Sequence, residues 1–176
     1  MNLKKIRQQK AFTMIEIIVV IFIVSIGILG VMALVVQNVK SQSYNKDNLI
    51  ASQLAQEGIE MIRMVRDTNW KNNVAFNTNL YPDLGVSPAY YFMDYTDNKP
   101  RSYTGNPAQL ILEKDSKGFY HDYDYNGGVE TPFSRIIIIS GSPLVGHYLK
   151  VICTVTWKNR NQPRSYSLET MLYDWK

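Results

Sequence analysis

Phe12-Thr13-Met14-Ile15-Glu16-Ile17 opens a run with no charge from Ile17 to Val36, and the reading of that run decides the fold. Across its twenty residues only Ser25, Gly27 and Gly30 are not plainly apolar. At 1.5 Å rise per residue the run makes roughly 30 Å of helix, the thickness of a bilayer core. A fully soluble enzyme is therefore a poor fit. Upstream stand Lys4, Lys5, Arg7 and Lys10, four of the nineteen basic residues in this chain of 176. Beyond residue 11 there are 15 basic and 15 acidic side chains, so the formal charge of +4 belongs to this short tract. A basic tract beside an apolar span predicts a cytoplasmic N-terminus with the rest of the chain outside. The balanced charge elsewhere removes the main argument for nucleic-acid binding, which needs clustered Lys or Arg. Nucleic acid is not indicated as a partner.

Three kinds of segment begin this way: a cleaved secretory signal, a plain anchor and a specialised export signal. A secretory signal has a shorter apolar region and small residues at its cleavage site. Here Gln37-Asn38-Val39-Lys40 follows the run, with no such pattern. The anchor reading leaves Glu16 to explain, because a carboxylate at the centre of a bilayer costs about 2.5–3.5 kcal/mol, less near an interface. Glu16 either marks the membrane edge or has a cationic partner. A free α-amine at Phe12, four residues away or on a neighbouring chain, is one such partner.

Lys10-Ala11-Phe12-Thr13-Met14-Ile15-Glu16 with its apolar run resembles the N-terminal signature of type IV pilins and of type II secretion pseudopilins. The resemblance implies a basic leader, residues 1–11, cleaved between Ala11 and Phe12, and N-methylation of the new N-terminal Phe12. It also implies that Glu16, at the fifth mature position, sets register during assembly. The family usually places Gly before the cut, whereas this chain has Ala11. The implied partners are a prepilin peptidase, other pilin or pseudopilin subunits, an assembly platform with its motor ATPase, and the lipid bilayer before assembly.

From Tyr44 to Arg66 there is no proline, and Ile50, Leu54, Met61, Ile62 and Val65 return at helical spacing. Gln53, Gln56, Glu57, Glu60 and Arg63 occupy much of the opposite face. The expected fold is α+β, a pilin fold. Residues 12–38 form the transmembrane and polymerisation half of a long helix, and 39–66 form an amphipathic half ending at Asp67-Thr68-Asn69. Residues 67–108 connect, with Tyr90-Tyr91-Phe92 expected to pack under a loop. Residues 109–176 form an antiparallel sheet that the amphipathic half covers.

Within that sheet Gln109–Glu113 and Gly118–Tyr123 flank a turn, and Ile136–Ile139 reads as a buried strand. From Leu149 to Trp157 apolar residues alternate strictly with others, and Tyr166, Leu168, Thr170 and Leu172 share one side of a last strand. Cys153, the single cysteine, falls on the apolar face as a structural thiol and excludes an intramolecular disulfide. Thr131-Pro132-Phe133-Ser134-Arg135 and Val155-Thr156-Trp157 are similar to minor pilins and minor pseudopilins.

Catalytic patterns are missing from the sequence. His121 and His147 lack a partner motif, and there is no Walker loop, nucleophile elbow or cysteine pair. No catalytic residue and no cofactor is expected. One string is metal-like. Asp122, Asp124 and Asn126 match early positions of a calcium-binding loop, and Glu130 stands at its ninth, but Phe133 takes the place of the bidentate carboxylate. Calcium is accordingly a weak candidate beside a solvated Asn-Gly-Gly turn. The sequence is expected to specify a minor pilin or pseudopilin, placed in the inner membrane and then in an extracytoplasmic filament. The alternative is a single-pass anchored surface binding protein that does not polymerise.

Overall fold

The computed structural model describes residues 12–80, 89–122, 125, 127–142, 147–159 and 161–175. The expected leader 1–11, including Ala11, and the calcium candidates Asp124 and Asn126 lie outside these residues. The chain divides into two units at Tyr44/Asn45. One helix, α1, runs from Met14 to Lys71 through that point, and Gly27 and Gly30 do not interrupt it.

In the second unit α1 buries Ala51, Leu54, Ala55, Gly58, Ile59, Met61, Ile62 and Val65, the face predicted by the spacing, while Gln53, Gln56 and Glu60 are exposed. The helix does not stop at Asp67-Thr68-Asn69, as the sequence suggested. The Arg66 guanidinium donates to Asp67 at 2.8 Å, and Asn69 donates its amide to the carbonyls of Phe76 and Thr78. Those side chains thus serve the helix surface and the next loop, and leave the helical backbone intact. The end comes two residues after Asn69. Asn73 has φ 57°, its N–H donates to Trp70 O, and the Val74 N–H donates to Asn69 O. This pair of bonds around a left-handed residue is a Schellman end, with Asn in the place usually held by Gly.

The sheet is antiparallel throughout and consists of β1 (Ala89–Phe92), β2 (Arg101–Tyr103), β3 (Ile111–Lys114), β4 (Tyr120–His121), β5 (Val129–Ser142), β6 (Tyr148–Asn159) and β7 (Gln162–Tyr173). The long strand β5 is its spine. One edge pairs with β6 from Phe133↔Trp157 to Ser142↔Tyr148. The other edge is shared: β3 takes its first half at Ile111↔Ser134 and Lys114↔Val129, and β1 takes its second half at Tyr90↔Ile138. Strand β6 shows the predicted alternation, with Leu149, Val151, Cys153, Val155 and Trp157 buried. The turn between β3 and β4 forms because Asp115 Oδ1 accepts from the N–H groups of Lys117 and Phe119, with Gly118 supplying φ 97°.

Tyr90-Tyr91-Phe92 is not packed under a loop but forms β1, paired to the isoleucine run of β5. A four-residue strand has too short a period to stand out in a tract rich in Asn, Asp and Pro. The rest of 89–108 adds β2 and a 3-10 turn at Pro107–Gln109, begun by Asn106, whose side chain accepts from Ala108 N.

Helix and sheet are in close contact at Gly58. A β-carbon there would lie 2.5 Å from Cys153 Sγ, well inside contact distance. Gly58→Ala is expected to destabilise the domain, because overpacking a filled core costs about 1–3 kcal/mol against a helix-propensity gain of about 1 kcal/mol. The double variant with Cys153→Ala should recover most of the loss, since the next atoms stand 3.4 and 3.5 Å away. Urea unfolding of the detergent-solubilised chain measures both variants, and additive losses would contradict the contact.

Candidate functional site

The first described residues combine a helix start with an outward-facing apolar surface. Thr13 precedes the helix. Its carbonyl accepts from Glu16 N at 3.1 Å and from Ile17 N at 3.3 Å, and its hydroxyl oxygen shares the Glu16 N–H at 3.3 Å. Thr13 is therefore the N-cap, and Glu16 lies in the first turn, where the helix dipole favours a negative charge. Phe12 stands ahead of the helix and is 76% exposed. Phe12 and Glu16 border a shallow depression floored by Ile17, Val20 and Ile21. Phe12 and Glu16 thus stand at the head of the chain's long helix, Phe12 ahead of it and Glu16 in its first turn.

Beyond Glu16 every large apolar side chain to Val36 faces outward, from Val19 at 47% exposed to Leu29 at 70%. The segment is long and apolar enough to cross a membrane, and none of it is buried within the chain. Ser25, the one hydroxyl in the run, donates to Ile21 O at 2.7 Å, which satisfies it inside the helix. Added β-carbons at Gly27 and Gly30 would meet nothing within 4 Å. An apolar surface of this extent needs a covering of lipid or of other apolar helices.

The remaining candidates fall in the sheet unit. Asp122 is buried, and its carboxylate faces cations: Oδ1 stands 3.5 Å from Arg135 Nη2 and Oδ2 stands 3.8 Å from Arg101 Nη2. Burial pushes its carboxyl up to about 6, with Arg135 and Arg101 pulling the other way. Glu130 lies exposed on β5, across from Glu113, with Asp124 and Asn126 outside the described residues. Among the described residues no group of three or more His, Cys, Asp or Glu is placed to hold a metal ion. His121 is buried, with Nδ1 2.9 Å from Asp94 Oδ2 and its ring stacked on Tyr125 at 3.7 Å. His147 is exposed at φ 49°. The thiol of Cys153 is fully buried, and burial pushes it up to about 12.

Two residues escaped the sequence reading. Arg135 is a buried tie between the helix, the loop after β1 and the end of β4. Its signal was a lone charge abutting four isoleucines. Thr13 was passed over as part of a motif, although T-x-x-E is a helix-start signature in its own right.

A helix whose first half is apolar all round and whose second half covers an antiparallel sheet is a pilin-like α+β arrangement. Residues 6–32 match the family model of the prokaryotic N-terminal methylation motif, so the chain carries the N-terminal signal of type IV pilins and pseudopilins. The match includes Ala11, Phe12 and Glu16. No curated protein and no solved structure gives a significant match to the chain.

Proposed function

We propose that the protein is a structural subunit, of the minor type, of a type IV pilus or type II secretion-like filament. It enters the inner membrane as a precursor with its basic leader in the cytoplasm and its sheet domain outside. Prepilin peptidase removes residues 1–11, Phe12 is N-methylated, and an assembly platform and motor ATPase draw the subunit out of lipid into a polymer with other pilins. Its work is mechanical rather than catalytic, and no cofactor takes part. The observation that carries this reading is the methylation motif at residues 6–32, which runs into an apolar half-helix with no covering of its own. Lipid covers that surface before assembly, and neighbouring helices cover it afterwards.

Mass spectrometry of the N-terminal peptide from native membranes tests the proposal. A peptide beginning at N-methylated Phe12 is expected. An intact Met1 terminus, in cells that cut their other prepilins, would replace this reading with the non-polymerising surface anchor.

A further inference from the structure

The side chains of β5 alternate between α1 and the opposite face of the sheet. That opposite face carries a second, smaller core of Phe92, Leu110 and Ile136, with Tyr103 packed against it. Beside this core, two residues along β5, lies a groove of about 530 Å³, lined in part by Ser134. Ligand pockets span roughly 300–1,000 Å³. Strand pairing sets the floor. Ile111, Ser134, Thr156 and Ser165 stand in one row across β3, β5, β6 and β7, at Ile111↔Ser134, Ser134↔Thr156 and Thr156↔Ser165. The row joins the strings 131–135 and 155–157, to which polymerisation through α1 assigns no work.

The lining combines two surfaces. Ile111, Pro132 and Pro163 are apolar, whereas Ser134, Thr156 and Ser165 are hydroxylic. Ser134 Oγ and Thr156 Oγ1 lie 2.8 Å apart, so one of their two protons is spent between them. The other proton and the spare lone pairs are left for a ligand that both donates and accepts. A sugar does both along its hydroxyl edge and lays the C–H face of its ring on apolar side chains. Charge narrows the class. Lys158 and Arg164 border the groove, and no Asp or Glu is among the described residues that line it. The groove is thus lined by one sign of charge in a chain that is balanced beyond residue 11.

We propose that this groove binds an acidic saccharide, with the hydroxyl row meeting sugar hydroxyls and Lys158 meeting the carboxylate. The site lies wholly on the sheet, so it stands or falls independently of leader removal and polymerisation.

Isothermal titration calorimetry of the detergent-solubilised full-length chain provides the test, with trigalacturonate, its methyl ester, sialyllactose and inorganic phosphate as probes. At least one of the two acidic sugars should bind saturably. The methyl ester keeps the ring shape and loses the charge, and should bind about tenfold more weakly than trigalacturonate, the factor of one hydrogen bond to a charged group. Lys158 is exposed, so Lys158→Gln leaves the fold in place. That variant should lose the same factor for the acid and bind the ester as the wild type does. Thr156→Val keeps the side-chain shape and removes a hydroxyl, which should weaken acid and ester alike about fivefold. Where Thr156→Val also lowers the urea midpoint, Ser165→Ala at an exposed position supplies the same reading. Absence of saturable binding by both acidic sugars in the millimolar range overturns the proposal. So does wild-type affinity in Lys158→Gln. Phosphate that competes as well as trigalacturonate also overturns it, since the groove would then be a plain anion site.

Discussion

Arg135→Met is expected to cost the domain about 3–5 kcal/mol, the range for removing one partner of a buried ion pair. The guanidinium is 1% exposed and joins three parts of the chain. Nη1 donates to Glu57 Oε2 at 3.1 Å and to the Leu54 carbonyl at 3.4 Å, both on α1. Nη2 donates to the Met93 carbonyl, just after β1, at 2.8 Å and to Asp122 Oδ1, just after β4, at 3.5 Å. Methionine fills much of the same volume but donates nothing. Asp122, already buried and short of donors, then keeps only Arg101, at 3.8 Å, as a compensating charge. Lysine keeps the charge and loses the planar fork that reaches both sides, so Arg135→Lys should also fall well below the wild type. Asp122→Asn in the Arg135→Met background should return part of the loss by removing the stranded charge. Urea unfolding of the detergent-solubilised chain, followed by tryptophan fluorescence, measures all three. A loss below about 1 kcal/mol for Arg135→Met would mean that the core holds without this tie.

The elements that were legible in the sequence are those whose burial imposes a period. Strand β6 alternates over nine residues because one face lies on α1 and the other on solvent. The buried stripe of α1 repeats because the same sheet lies beneath it. Residues 67–108 gave no such signal for a physical reason. Strands β1 and β2 are four and three residues long and hold their place through pairing with β5 and with one another, not through a pattern of their own. The end of the helix was misplaced because Asp and Asn were read as terminators by composition. Asn69 instead spends its side chain on Phe76 and Thr78, and Asn73 performs the termination. At the candidate site Glu16 drew notice because an acid at the edge of an apolar run is costly, and Phe12 through the motif that residues 10–16 resemble. Thr13 as a helix cap was also written there, in T-x-x-E, but a hydroxyl carries no such cost and did not stand out until its bond to Glu16 N was seen.

Glu16→Ala is expected to leave leader cleavage intact and to reduce recovery of the subunit in sheared filaments by more than tenfold. The argument begins with solvation. Glu16 sits at the rim of a surface that must be covered by apolar groups, and a carboxylate moved among them without a partner costs several kcal/mol. In the proposed filament a neighbouring subunit's Phe12 amine supplies that partner at one axial position only, so the cost falls where the register is correct and remains where it is not. Alanine abolishes the penalty together with the choice. Alanine alone cannot decide the matter, because it also removes a side chain of the type that favours a helix start three residues after a Thr cap. Glu16→Gln separates the two roles. Glutamine keeps the capacity to complete the helix start, since either residue serves at that position, but it offers no charge to an amine. If the charge sets register, Glu16→Gln should be excluded from filaments nearly as strongly as Glu16→Ala while converting normally from precursor to mature form. If Glu16→Gln enters filaments like the wild type, the charge is not what sets register, which must then come from the packing of the apolar surfaces themselves.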